Sequence, residues 1–261
     1  MRKHISIILS VLILSTLLVG CGNTDHPAET PTKIENQIEI LETDSETVKI
    51  AKLAHNELQR YATGDIVIVN MSKATSVSTE DFSPVEDYTD AVIIKDKNRE
   101  LYNETGMDYI CIYTPDGNYI FTSGNEVIDA DATLSNFTTE TFNNNSKLVS
   151  WLINNPDKFE YTKNIGEDNT ISYSFKTTDT AFVKEKYYAT FGMMEFLEFL
   201  DGHYEFVLTF NVDNQLTQID WFGTSTDETM AIETASAFST DLAEGYNMLG
   251  EGIDGIWDLL S

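Results

Sequence analysis

Cysteine is almost absent from this chain of 261 residues, which contains only Cys21 and Cys111. A framework of several disulfide bonds, the usual support of small secreted proteins, is therefore excluded. Stability must come from a hydrophobic core instead. Hydrophobic residues make up 41% of the sequence, and a chain of this length can bury a core of sufficient size.

Basic residues are also scarce, with 16 Lys and Arg against 43 Asp and Glu and a formal net charge of −27. Such a charge repels phosphate backbones and anionic headgroups, so we expect no nucleic-acid partner and no flat docking on an anionic bilayer. The acidic residues are scattered. Asp129 and Asp131 begin a calcium-loop pattern that fails at Leu134, so we predict a solvated acidic surface and no metal site.

Motifs of the common enzyme classes are missing as well. The chain has no Gly-x-Ser-x-Gly elbow, no His-Glu-x-x-His, no phosphate-binding Gly-x-x-x-x-Gly-Lys and no Cys-x-x-Cys. Of the four histidines, only His55 and His203 fall within the expected domain, and no partner motif surrounds either of them. We predict an exposed or partly packed His55, no catalytic residue and no cofactor. Two of the many acidic residues could lie close together in the fold and act as a catalytic pair. A hydrolase is therefore kept as a further hypothesis, after the two described below.

The sequence has one long hydrophobic run, Ile5 to Val19, directly after Arg2 and Lys3. Its 15 residues are too few to span a bilayer, which takes about 20. A cationic tip, a short apolar run and small residues at its exit are typical of a secretory signal peptide. We therefore predict a signal peptide over residues 1–20.

The run ends in Leu18-Val19-Gly20-Cys21, which resembles the lipobox of bacterial lipoproteins. The resemblance implies that Cys21 carries diacylglycerol through a thioether and becomes the mature N-terminus, at the outer, extracytoplasmic face of the cell membrane. An ordinary signal peptide followed by a chance cysteine is the alternative. Removing Arg2 and Lys3 with the leader lowers the formal net charge from −27 to −29.

Residues 21–45 contain two of the five prolines and no large apolar residue before Ile34, which predicts a flexible tether behind the lipid, with a soft boundary near residue 45. A chain of this length spans about 25 Å on average, enough to hold a domain beyond the headgroups. We predict one α+β domain over residues 46–261.

Periodicity then predicts the elements of that domain. A helix should run from Asp44 or Ser45 to Thr63, with Gly64 as its stop. Short β-branched and aromatic runs predict strands in antiparallel order, with apolar residues on both faces. The predicted strands cover residues 65–71, 91–95, 107–113, 119–122, 159–163, 171–176, 204–212, 219–221 and 230–238.

Further helices are predicted over residues 147–153 and 184–200, with a long loop at 123–142 and only a short terminal helix near Ile256. Eight or nine short strands with about three helices predict a curved antiparallel sheet, half-barrel-like, covered by helices. This arrangement is similar to the half-barrel lipoproteins of the LolA and LppX type. The resemblance is architectural, spans about residues 46–240, and implies acyl chains held between sheet and helices.

The helix predicted over 184–200 carries an aromatic and methionine-rich stripe. Such side chains line pockets for apolar ligands, and they also form ordinary cores. A cavity of several hundred cubic ångströms beneath this helix would favour the ligand site. The candidate ligand-binding residues are Tyr187, Tyr188, Phe191, Met194, Phe196, Leu197 and Phe199.

Two binding functions remain open at this point, besides the hydrolase hypothesis. The first is a membrane-anchored extracytoplasmic binding lipoprotein that holds a lipid or another apolar small molecule between sheet and helices. The second is a cell-surface lipoprotein that binds an envelope protein or senses a signal, with a filled core and no ligand.

Overall fold

The computed structural model describes residues 37–77, 84–122, 126–129, 137–191, 199–250 and 256. The predicted signal peptide, Cys21 and most of the tether lie outside these residues. The described helices are α1 (Glu46–Ala62), α2 (Phe137–Asn154), α3 (Thr180–Phe191) and α4 (Leu242–Leu249), with a 3-10 turn at Pro156–Lys158. Within the described part of the chain, no helix is both long enough and apolar enough to cross a membrane.

Eleven described strands form one antiparallel sheet in the order β6-β5-β4-β3-β2-β1-β11-β10-β9-β8-β7. The first and last described strands, β1 and β11, pair at its centre, and β6 and β7 are its edges. The strands are β1 (Ile66–Val77), β2 (Pro84–Asp96), β3 (Arg99–Glu104), β4 (Tyr109–Thr114), β5 (Gly117–Thr122), β6 (Val127–Asp129), β7 (Glu160–Ile165), β8 (Ile171–Thr177), β9 (His203–Phe210), β10 (Leu216–Thr224) and β11 (Ala231–Ser239).

The predicted fold class is confirmed: the protein is α+β, with an open, curved antiparallel sheet and helices packed on it. The predicted number of strands was too low, because β3 and β6 were not recognised. β3 carries charged residues at both ends, Arg99 and Glu104, and β6 has only three residues. Neither shows the apolar alternation on which the prediction depended.

Helix α1 follows its sequence signals closely. The Ser45 side chain accepts a hydrogen bond from the Val48 N–H, and the buried face includes Ala51, Ala54 and Leu58. The predicted helix is therefore confirmed. The prediction for His55 was wrong, since this side chain is buried. Helix α2 packs against α1, a contact that the pattern of α1 alone could not reveal.

Both faces of the first half of the sheet are covered, as its doubled apolar pattern predicted. The larger core joins α1, α2 and α3 to one face, where Ile66 and Ile68 of β1 lie. The smaller core lies on the opposite face, where Val67 packs with residues of α4. Successive side chains of a strand point to opposite faces, so one strand supplies both cores.

Two helices begin earlier than predicted. The region read as a loop up to residue 142 already contains the first turns of α2, which begins at Phe137. Helix α3 begins at Thr180, where Asp179 accepts a hydrogen bond from the Phe182 N–H and acts as a cap. Residues 192–198, part of the same predicted helix, lie outside the described residues.

The glycine-rich tail also contains a helix that was not predicted. In α4, Gly245 lies so close to β1 that an added Cβ would stand 2.5 Å from the Val67 side chain. This glycine therefore permits close packing between helix and sheet, where the sequence pattern suggested a break. Of the predicted terminal helix, only Ile256 is described; it is helical and buried.

Candidate functional site

The predicted aromatic stripe separates into two environments on α3. Tyr187 is 8% exposed, with its ring centroid 6.3 Å from that of Trp151 and 5.8 Å from that of Trp221. The neighbouring Tyr188 is 57% exposed. Tyr187 is thus part of the aromatic core, whereas Tyr188 faces solvent, and the two do not line one common surface.

The other predicted ligand-binding residues fall at or beyond the end of α3. Phe191 is its last residue, and Phe199 lies after the helix with its side chain largely exposed. Met194, Phe196 and Leu197 lie outside the described residues. The assignment of these seven side chains to ligand binding therefore stays a prediction.

A cavity of about 30 Å³ lies elsewhere, between the first turns of α2 and the central strands. Its wall combines an apolar side with polar and acidic side chains. The lining residues are Asn70, Met71, Ser72, Thr89, Ala91, Ile93, Tyr102, Glu104, Phe137 and Thr141.

Strand register explains why polar groups meet at this place. Alternation puts Asn70 and Ser72 on the face of β1 that carries the larger core. Asn70 is paired with Ala91 of β2 on one side and with Ser236 of β11 on the other, and Ala91 is paired with Glu104 of β3. A row of four residues, three of them polar, therefore crosses the middle of the sheet beneath α2.

A hydrogen-bonded chain orders the β11 side of this row. The Ser236 hydroxyl donates to Asn70 Oδ1 at 2.8 Å, and Asn145 Nδ2 of α2 donates to Ser236 Oγ at 3.3 Å and to the Thr141 carbonyl at 3.0 Å. Asn70 is only 5% exposed, and its Nδ2 makes no hydrogen bond to any described residue. This N–H group is therefore a free donor at the cavity wall.

The β3 side of the cavity is acidic. Glu104 is 7% exposed, and the Tyr102 hydroxyl donates a hydrogen bond to its carboxylate. Burial, and then the hydrogen bond to Glu104, raises the pKa of Tyr102 above its ordinary value, so the phenol stays protonated as a donor. The Tyr102 and Phe137 rings stack with centroids 4.2 Å apart and form the apolar wall beside the carboxylate.

A second buried acid on β3 holds α2 in place. The Glu100 carboxylate accepts a 3.0 Å hydrogen bond from the Thr138 N–H, one of the free donors at the start of the helix. Burial raises the pKa of Glu100, although this hydrogen bond opposes the rise. Glu100 thereby fixes the helix that roofs the cavity.

A larger depression of about 320 Å³ is open to solvent at the start of α3. Its rim carries Lys158 and Asp179, whose charged atoms are 2.9 Å apart, together with Lys176 and Thr177. This polar surface is not the apolar space that the stripe predicted. Among the described residues, no group of three or more His, Cys, Asp and Glu side chains is placed to hold a metal ion.

The sequence did not identify the cavity residues. The one available signal was the segment Arg99–Glu104, in which Glu100, Tyr102 and Glu104 alternate with apolar Leu101 and polar Asn103. Read as a strand, it would have placed two acids and a tyrosine on one face. Their burial depends on α2, which lies more than 30 residues further along the chain.

Comparisons with known proteins assign no family to the chain. No family model matches it, and no curated protein matches it in sequence. Among solved structures, it is similar to a DUF1329 family protein from Desulfovibrio piger, with 10% identity over 75% of this chain and 92% of that one, and a TM-score of 0.21. At this TM-score, the similarity supports no argument about fold or function.

Proposed function

We propose that the protein is a lipid-anchored, extracytoplasmic lipoprotein that works by interaction or sensing, and that its core holds no acyl chain. The lipobox supports its location: diacylglycerol on Cys21 would hold it at the outer face of the cell membrane. The segment after Cys21 would then hold the acidic domain away from a surface that repels it. This tether would end before Ile38, whose backbone hydrogen-bonds to the Asn56 side chain of α1.

The observation that carries this proposal is the small volume of the cavity within the described core. The cavity of about 30 Å³ beneath α2 is an order of magnitude smaller than pockets for drug-sized ligands, which measure about 300–1,000 Å³. Where the stripe was expected to line such a pocket, Tyr187 instead packs against Trp151 and Trp221. The described core therefore favours the interaction or sensing function over an acyl-chain carrier.

Surface charge supports a partner that is basic or cationic. The formal net charge of −27 creates a negative potential around the domain. This potential attracts cationic molecules and repels anionic ones. It therefore favours a basic or cationic partner that the protein would meet at the outer face of the membrane.

The location is tested in a bacterial host that expresses the full chain, with Cys21→Ser as the variant. Wild-type protein should be labelled by a radioactive fatty acid and sediment with membranes, whereas the variant should be unlabelled and soluble. Equal membrane association of the two proteins, without label, would show that Cys21 is not the anchor.

The mode of action is tested by crosslinking on intact cells and by mass spectrometry of lipids extracted from the purified protein. We expect one reproducible crosslinked species that is lost when the variant is released from the membrane. Stoichiometric lipid besides the anchor, with no crosslinked species, would instead establish the carrier function.

A further inference from the structure

We propose that the cavity beneath α2 binds a small organic ammonium group, with Glu104 as its counter-charge. This inference rests on the proposed sensing function and names the chemistry of the ligand. It depends on three features of the cavity wall: an uncompensated acid, free hydroxyl groups, and the size of the space.

The acid is the first feature. Buried carboxylates are rare unless they are paired, because removing a charge from water is costly. Glu104 is more than nine-tenths buried, and its one described hydrogen-bond donor is the neutral Tyr102 hydroxyl. None of the ion pairs among the described residues includes Glu104. A cation in the adjacent cavity would supply the missing positive charge.

The free hydroxyl groups are the second feature. Ser72 and Thr141 are both more than nine-tenths buried and line the cavity, and neither hydroxyl forms a hydrogen bond with a described residue. Each hydroxyl oxygen can accept a hydrogen bond from an ammonium N–H. The Nδ2 group of Asn70 is a donor and repels a cation, so it confines the ammonium group to the Glu104 side.

Size selects the kind of cation. A water molecule needs about 10–15 Å³ of such space, so about 30 Å³ holds roughly two groups of that size. Methylammonium has two heavy atoms, and its methyl group would lie against the stacked rings of Tyr102 and Phe137. The half-buried Thr89 places one side of the wall near solvent, where a longer amine would extend outward.

The test is a titration of the purified full-length lipoprotein with methylammonium chloride at constant ionic strength, followed by isotope-edited NMR of labelled methylammonium and by thermal unfolding. We expect saturable binding and a rise in the unfolding midpoint. Glu104→Gln should weaken binding at least tenfold. Glu126→Gln, which removes the same charge from an exposed position, should bind as the wild type does.

Ser72→Ala and Thr141→Val provide a second measurement that does not depend on the folding of Glu104→Gln. Each variant should weaken binding severalfold, and unchanged affinity in both would overturn the proposal. Equal responses to sodium or potassium would identify an inorganic-cation site, and equal affinity for tetramethylammonium would contradict the size argument. Either result would also overturn the proposal.

Longer amines test whether the ammonium group belongs to a free amine or to a lysine side chain. Ethanolamine and Nα-acetyl-lysine amide present the same group from a free amine and from a lysine side chain. Tighter binding of either than of methylammonium would support a ligand that extends past Thr89, whereas no binding of any amine would overturn the site. Lipid analysis of the same preparation tests the proposed interaction or sensing function independently.

Discussion

The Ser236 hydroxyl donates a 2.8 Å hydrogen bond to Asn70 Oδ1 across 166 residues of sequence. These two residues are also direct partners in the register of β11 and β1, the strands that join the two halves of the sheet. Strands β1 and β11 are therefore joined by a side-chain hydrogen bond as well as by their backbone pairing. It also points the Asn70 amide nitrogen away from β11 and toward the cavity.

Ser236→Ala should lower the free energy of unfolding by about 1–2 kcal/mol, because the buried Asn70 oxygen loses its only described donor. Urea denaturation measures the change. Ser76→Ala, on the partly exposed end of β1, is the matched control and should stay within about 0.5 kcal/mol of wild type. Equal losses in the two variants would contradict a specific role for this bond.

Tyr187→Ala should destabilise the protein by about 3 kcal/mol or more, since it leaves a cavity beside Trp151 and Trp221. The neighbouring Tyr188→Ala removes an exposed ring and should change stability by less than about 0.5 kcal/mol. Thermal and urea unfolding of both variants measure the difference. Loss of a bound lipid in Tyr188→Ala without loss of stability would instead support the predicted ligand stripe.

Gly223→Ala should destabilise the protein by about 1–3 kcal/mol. The added Cβ would lie 2.8 Å from the buried Tyr204 ring, which is fully enclosed and stacks on Trp221. At Gly64 the nearest atom to an added Cβ is 3.9 Å away, so Gly64→Ala is a near-neutral control. Calorimetric midpoints that fall equally in the two variants would show that close packing at Gly223 is not the cause.

Glu140 should make stability depend on pH. Burial raises the pKa of its carboxyl from 4.5 to about 7, while Lys147 opposes the rise. Between these two values the unfolded chain has lost the proton and the folded protein still holds it. The stability contribution of this group is therefore lost as the pH rises from about 4.5 to 7 and stays low above that range.

The variant Glu140→Gln removes this titration and should be more stable than wild type above pH 7. We expect a difference of about 1–2 kcal/mol, after allowing for solvent screening of a half-buried group. Urea unfolding at pH 4 and pH 8 measures it. Glu185→Gln, whose side chain is 77% exposed, controls for the loss of one negative charge. A wild-type protein whose stability does not fall across this range would contradict the expectation.

Local periodicity was sufficient for much of the fold. The alternation of Tyr204, Phe206, Leu208 and Phe210 predicted β9, and all four side chains are buried on one face. Helix α1 was likewise predictable, because Ser45 and the spacing of its apolar residues are signals within one element. Such features depend on neighbours in sequence, which a single chain reveals directly.

The cavity could not be predicted in the same way. Glu104 looks like a surface acid in sequence, and its burial depends on Phe137 and the rest of α2. Asn70 likewise interrupts an apolar strand for no local reason, and its partner Ser236 lies near the other end of the domain. These contacts join distant segments, and local patterns carry no information about them.

The sequence by itself determined the class of fold, the helical and strand periods and the net negative charge, because each depends on composition or on near neighbours. The lipid address at Cys21 stays a prediction from the same kind of local pattern. Only the tertiary structure decided that β1 pairs with β11, that Tyr187 is core while Tyr188 is surface, and that Glu104 faces the cavity beneath α2. Burial is a property of what covers a residue, and here the covering helix comes from a distant part of the chain.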